Sequence, residues 1–316
     1  MTTEAHTDWS RERESGSAWQ LRLLRWLALH APAFVMDSLI WLVSLVYACQ
    51  TRRPSTHASG LYLRRVLGKA PGLYERRKHA HSFAHVFLDR VKLLSTGIDV
   101  FKIEAQGQQL IEDQHNTGRG GVLLGAHFGS FEALRSFDNT LPGLRVRYLM
   151  FPEHAPASTA LLSELNTDTA SQIISLSNGL HAMLEVHEAL DNGEFVAFLG
   201  DRQPGTTARS QSVQFFGTSI NLPTSPYIAA IAARVPLFFC VAPRLGKKHY
   251  GIEFSVLYDG APVPRAERKD RIAELAQAYA DHLESLCRRY PYNWFNFFDI
   301  WGKQQSMPSR AAGKSR

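Results

Sequence analysis

Cysteine is scarce in this sequence. Cys49, Cys240 and Cys287 are the only three in 316 residues, and they lie far apart. Their odd number and wide spacing argue against a disulfide framework and against a structural zinc site, so they read as buried thiols in a reducing compartment. A G-x-S-x-G elbow is also missing, so nothing marks a serine nucleophile of the hydrolase type. The formal charge is +6, yet no nucleic-acid recognition motif accompanies it, and no nucleic-acid partner is expected. No internal repeat is present. Acid is absent from the end of the chain, where Lys303, Arg310, Lys314 and Arg316 carry about four of the six net charges. That tail, 302–316, and the polar opening, 1–18, are expected to be disordered.

What is present near the start is apolar. Ala31 to Cys49 holds one ionisable group, Asp37, and as a helix would reach about 28 Å, close to the hydrocarbon thickness of a bilayer. It starts too far along the chain for a secretory signal peptide and lacks a small-residue cleavage site. The preceding stretch from Trp19 to His30 is amphipathic, so residues 19–50 form a candidate membrane anchor. A spanning helix, an interfacial helix and a buried core helix all fit this composition. A basic block follows, with Arg52, Arg53, Arg64, Arg65, Lys69, Arg76, Arg77 and Lys78 against Glu75. Its position beside the apolar stretch favours an anionic membrane surface and places the rest of the chain on the cytoplasmic side. Residues 51–99 read as a basic helical region, with helical spacing of apolar residues over 60–96.

From residue 100 to 301 the pattern changes. Short apolar runs bounded by turn residues predict strands over 121–126, 145–151, 172–176, 195–200, 236–243 and 250–257. Helical patterns fall between them, over 131–139, 158–166, 179–192, 225–233 and 269–289. The alternation predicts an α/β domain, a mostly parallel mixed sheet with helices on both faces, preceded by the N-terminal membrane helix. Ligands in such sheets bind beyond the carboxyl ends of the strands, so residues directly after a strand are the candidates for chemistry.

His127 is one of them. It follows the run GVLLGA and precedes Glu132 by five positions. In one continuous helix these two side chains would point about 140° apart, but a turn at Gly129 and Ser130 lets them converge. Glu132 would then fix the imidazole, and the other ring nitrogen would act as general base on a hydroxyl or amine attacking a thioester. Backbone N–H groups from Phe128 to Ser130 are the nearest donors for the resulting oxyanion. A structural histidine satisfied by a nearby acid is the plain alternative. Asp201 and Arg202 also follow a strand directly, where a surface ion pair competes with ligand binding.

The segment GAHFGSFE resembles the catalytic motif of the lysophospholipid acyltransferase superfamily, especially its bacterial lipid A biosynthesis branch. Phe198 to Arg202, VQFFG (Val213 to Gly217), Leu222 to Pro226 and ARVPLF (Ala233 to Phe238) resemble further blocks of that family in the same order. The resemblance spans roughly residues 100 to 300. It implies an enzyme that moves a fatty acyl group from an acyl carrier protein or acyl-CoA thioester to a hydroxyl of a lipid or glycolipid, at the cytoplasmic face of the inner membrane. It assigns His127 and Glu132 to catalysis and Gly129, Ser130, Asp201 and Arg202 to substrate, with no metal or cofactor. The Phe-Gly-Ser-Phe turn departs from those enzymes, which usually have Asn-Trp there, while the ending PYNWFNFFDIW (Pro291 to Trp301) together with the opening WSRERESGSAW (Trp9 to Trp19) resembles a branch found with aryl-polyene pigment-lipid enzymes. A thioesterase or lipase-like hydrolase and a silent lipid-binding protein are the competing readings.

Three further features stand beside that site. His81, His85 and Asp89 fall at helical spacing and have the side chains of metal ligands, but read better as a solvated or interfacial face. The aromatic run from Tyr290 to Trp301 reads as core, as an acyl-chain wall or as an interfacial belt. Arg209 has the charge to hold a phosphate but reads better as solvated.

Overall fold

The computed structural model describes residues 26–302, apart from 28, 98–99, 137–140, 151–171 and 203–208. The expected helix over 158–166 and, apart from Gly302, both expected disordered ends lie outside the described residues. Three helices come first: α1 (Ala33–Cys49), α2 (Pro54–Leu67) and α3 (Leu73–Thr96). The single helical stretch expected over 60–96 is therefore two helices. Gly68 closes α2 in the left-handed region (φ +66°), a conformation that costs glycine little.

The domain that follows is built on an eight-stranded sheet. Its strands are β1 (Lys102–Gln106), β2 (Gly121–Gly125), β3 (Val146–Met150), β4 (Ile173–Ser175), β5 (Phe195–Leu199), β8 (Leu237–Val241), β9 (Arg244–Gly246) and β10 (His249–Tyr258). The order is β1-β10-β8-β2-β5-β3-β4, with β9 paired to β10. All neighbours are parallel except β10 with β8 and β9. The predicted mixed, mostly parallel sheet is the one observed. Its central strands are buried on both faces, and alternate residues divide between two cores. Val122, Leu124, Val196, Phe198, Leu237 and Phe239 face one core, which also takes residues of α2, α6 (Leu180–Asp191), α7 (Ser225–Ala233) and α8 (Arg268–Arg289). Leu123, Phe195, Ala197 and Phe238 face the other, closed by α3, α4 (Gln108–Asn116) and α5 (Phe131–Ser136).

One block expected only as a motif is half of a hairpin. β6 (Ser210–Phe215) and β7 (Thr218–Pro223) pair antiparallel around a two-residue turn, Phe216-Gly217, with both residues at positive φ. The hairpin buries Val213, Phe215, Ile220 and Leu222 in the core beside α8.

Among the described residues no single helix is long and apolar enough to cross a membrane, although α1 and α2 pass that test together across a bend of 89°. α1 buries only the stripe Met36, Ile40, Ser44 and Ala48, and Met36 and Ile40 pack on Leu88 and Val91 of α3. Its other side leaves Phe34 (72%), Trp41, Leu42, Val43 and Val46 exposed. Several members of the basic block make contacts with the rest of the fold. Arg65 stacks 4.1 Å over Trp301, Lys78 lies 4.5 Å over Tyr292, and Arg76 donates to the Thr56 carbonyl. Arg52, Arg53 and Arg64 remain exposed.

Candidate active site

Two neighbouring parallel strands set the site. β2 and β5 pair in register from Gly121 opposite Phe195 to Gly125 opposite Leu199. Two residues further on, the same register puts His127 beside Asp201. His127 Nδ1 lies 2.8 Å from Asp201 Oδ1, and the His127 backbone N–H donates to Asp201 Oδ2 at 3.1 Å. Oδ2 also accepts from Trp294 Nε1 at 2.9 Å. Asp201 is fully buried, whereas the His127 side chain is 33% exposed and its Nε2 has no partner among the described residues. A carboxylate acceptor at Nδ1 fixes the proton there and leaves Nε2 as the basic nitrogen.

The charges agree with that state. Burial pushes the His127 imidazole below its ordinary value and the nearby Arg202 adds to this, with Asp201 opposing. Burial alone would raise the Asp201 carboxyl, but His127, Arg202 and the Trp294 N–H outweigh it and hold the group well below the usual carboxylate range. At neutral pH the pair is therefore a neutral imidazole on an ionised carboxylate.

The turn after His127 is held from two sides. Gly129 sits at φ +66° against β8, and a Cβ there would lie 1.8 Å from the Ala242 carbonyl oxygen. Gly129 N–H donates to Asn293 O (2.8 Å), Ser130 N–H to Ala242 O (2.9 Å), and Phe295 N–H to His127 O (2.8 Å). Ser130 is buried and its Oγ caps α5 by accepting from Ala133 N–H. Arg202 donates from Nη2 to Phe295 O at 2.9 Å and lies over the Phe298 ring, while its Nε has no partner among the described residues.

A model of the family described as bacterial lipid A biosynthesis acyltransferases matches residues 93–303, well over half of the chain. The chain belongs to this family. It is accordingly an acyltransferase that works on lipid acceptors. No curated protein matches the chain.

For an acyltransferase of this family the arrangement changes several expectations. The carboxylate on His127 is Asp201 and not Glu132. Glu132, in the first turn of α5, forms an ion pair with Arg90 of α3 at 2.6 Å. The strand register brings Asp201 to the ring, whereas α5 packs against α3 and carries Glu132 there. The oxyanion donors expected at Phe128, Gly129 and Ser130 are already committed, since all three N–H groups bond to carbonyls, Phe128 to that of Ala126. Gly129 and Ser130 shape the turn, while Asp201 and Arg202 follow β5 at the carboxyl end of the sheet, with Asp201, expected on substrate, bonded instead to the histidine. Trp294 is a partner of the site that sequence reasoning misses. Its only signal is its place in a dense aromatic run. That run is mainly core, with Trp294, Phe295 and Trp301 buried. Arg209 lies with its backbone carbonyl accepting from Thr224.

The histidine face of α3 also differs from expectation. His85 and Asp89, read as part of a solvated or interfacial face, are buried, and so is the neighbouring His79. His79 bridges Ser59 Oγ (2.7 Å) and the Trp294 carbonyl (2.9 Å), and Asp89 accepts from the Tyr250 hydroxyl. Among the described residues no group of three potential ligands stands close enough to hold a metal ion.

Proposed function

We propose that this acyltransferase carries a fatty acyl group from a thioester, on an acyl carrier protein or coenzyme A, to a hydroxyl of a lipid or glycolipid, with His127 as general base and Asp201 as its orienting acid. The observation that carries the reading is the His127–Asp201 pair at 2.8 Å, at the carboxyl end of adjacent parallel strands, with the His127 side chain partly exposed. Nε2 takes the acceptor hydroxyl proton as the oxygen attacks the thioester carbonyl. The tetrahedral oxyanion forms near the Arg202 guanidinium, whose charge favours it. Collapse expels the thiolate, which recovers the proton from the imidazolium, leaving ester and free thiol. Glu132 supports the site from behind through Arg90, holding α5 to α3.

The protein works at the inner membrane, from the cytoplasmic side. α1 lies in the bilayer interface with Phe34, Trp41, Leu42 and Val46 in the apolar boundary, while Arg52, Arg53 and Arg64 face anionic headgroups.

The test uses the full chain and a His127→Ala variant of equal abundance, radiolabelled acyl carrier protein, and total bacterial lipid in anionic or neutral vesicles. Label should reach a lipid only with the wild type, and the chain should float with anionic vesicles. Equal transfer by the variant removes His127 from the chemistry, label appearing only as free fatty acid makes the protein a hydrolase, and equal flotation with neutral vesicles removes the electrostatic part of the membrane reading.

A further inference from the structure

The segment 293–295 is fastened to the histidine turn by two backbone hydrogen bonds, Gly129 N–H to Asn293 O and Phe295 N–H to His127 O. Trp294 lies between them and is fully buried. Its ring is walled by Tyr62 (5.0 Å), Phe215 (5.4 Å) and Trp301 (6.2 Å), all edge-on. Asn293 adds a further tie, accepting from the Arg244 N–H through Oδ1. An indole in such a place cannot swing, so the direction of its N–H is set by the fold.

That N–H ends on Asp201. The carboxylate meets three donors: His127 Nδ1–H at Oδ1, and the His127 backbone N–H and Trp294 Nε1–H at Oδ2. Without the indole donor, Oδ2 would be held only by a 3.1 Å bond, and rotation of the carboxylate would loosen Oδ1 from the imidazole. We infer that Trp294 is a positioning residue for the acyl transfer, which fixes the Asp201 carboxylate and through it the orientation of His127. This rests on the reading of His127 as the base. It also gives the aromatic ending a role beyond core packing.

The same cluster supplies a matched control. Trp301 is 3% exposed and packs on Trp294 and Phe215, yet its Nε1 has no acceptor among the described residues. Trp301→Phe therefore removes a buried indole without touching the carboxylate. Other titratable groups near Asp201 do not confuse the comparison. Burial pushes the Tyr279 hydroxyl and the Cys287 thiol upward, so both stay neutral, and Arg202 stays charged throughout.

The experiment measures kcat, KM for the acyl carrier thioester and the pH profile of kcat/KM in membranes with total bacterial lipid, for wild type, Trp294→Phe, Trp301→Phe and His127→Ala. Loss of a hydrogen bond to a charged group predicts a kcat about tenfold lower in Trp294→Phe, with KM unchanged. The acid limb should also move to higher pH, because a carboxylate with one donor fewer is more basic and stabilises the imidazolium. Trp301→Phe should show neither change. If Phe lowers the folded fraction, benzothienylalanine at position 294, which replaces only the N–H by sulfur, decides the matter. Wild-type kcat and limb in that variant, or identical behaviour of the 294 and 301 variants, overturns the role of Trp294. Full activity in His127→Ala would instead overturn the base itself.

Discussion

The choice between two acids as partner of His127 can be decided by Asp201→Asn. The amide is nearly isosteric, so the side chains around it need not move. It must still meet three N–H groups that now converge on a carboxylate. Its one oxygen can serve the His127 backbone and the Trp294 indole on the Oδ2 side. The NH2 then faces Nδ1 and can only donate. The imidazole answers by placing its proton on Nε2, where a base is needed. In serine proteases the same carboxylate-to-amide change leaves the histidine in the wrong tautomer and costs about ten-thousandfold in kcat, and a similar fall with little change in KM is expected here. Single-turnover transfer from a labelled acyl thioester measures it, beside thermal unfolding to show that the chain still folds. The wild-type acid limb should lie below the ordinary imidazole value, since burial and Arg202 both disfavour the imidazolium. A folded Asp201→Asn protein within tenfold of wild type would refute the tautomer argument.

Two other outcomes follow from groups behind the site. Glu132→Gln strands the partly buried Arg90 guanidinium, and breaking such a pair typically costs about 3–5 kcal/mol, so the melting temperature should fall sharply. Arg90→Met with Glu132→Leu should recover most of it. A Glu132→Gln protein with wild-type melting but no transfer would return Glu132 to the reaction itself. His79 gives a pH-linked prediction. Burial depresses its pKa to about 4, with its bond to the Trp294 carbonyl opposing, so the unfolded state binds the proton more readily. Stability from this group is full above about pH 6.5, declines as pH falls toward 4 and is gone below, for a total of roughly 3 kcal/mol. Denaturant unfolding at a series of pH values should show that extra loss in wild type but not in His79→Gln. Parallel curves would rule it out.

The sheet is legible in the sequence because its strands carry their signal locally. Runs such as GVLLG and LFFCV are short, apolar without interruption and bounded by turn residues, as strands buried on both faces must be. β1 escapes such reading, because KIEAQ shows alternating exposure at an edge and little apolar content. The β6–β7 hairpin escapes it for a related reason. SQSVQF buries only alternate side chains, and its turn begins with Phe216, a residue rarely found at positive φ. The face of His85 and Asp89 on α3 is misread because a polar face at helical spacing looks solvated or interfacial unless the neighbouring chain is known. Here the neighbour of Asp89 is the Tyr250 hydroxyl, 161 residues away.

The site shows where such reading stops and what would carry it further. His127 is identifiable by its place after a strand. Proximity in sequence assigns it Glu132, the nearest acid. In a parallel sheet, however, residues at strand ends meet across the sheet, and the separation is set by the crossover, here 74 residues. The sequence does hold the relevant pattern. GVLLGAH and FVAFLGD each run seven residues, from the first strand position through a glycine to a titratable side chain. If the two runs are neighbours in register, His127 and Asp201 must stand side by side, whatever lies five positions along. What the pattern lacks is a reason to pair those two strands and not others, and that comes only from the packing of the helices between them. Trp294 lies further out of reach still. Its indole reaches Asp201 because the last segment returns over the histidine turn, a contact written in no local spacing.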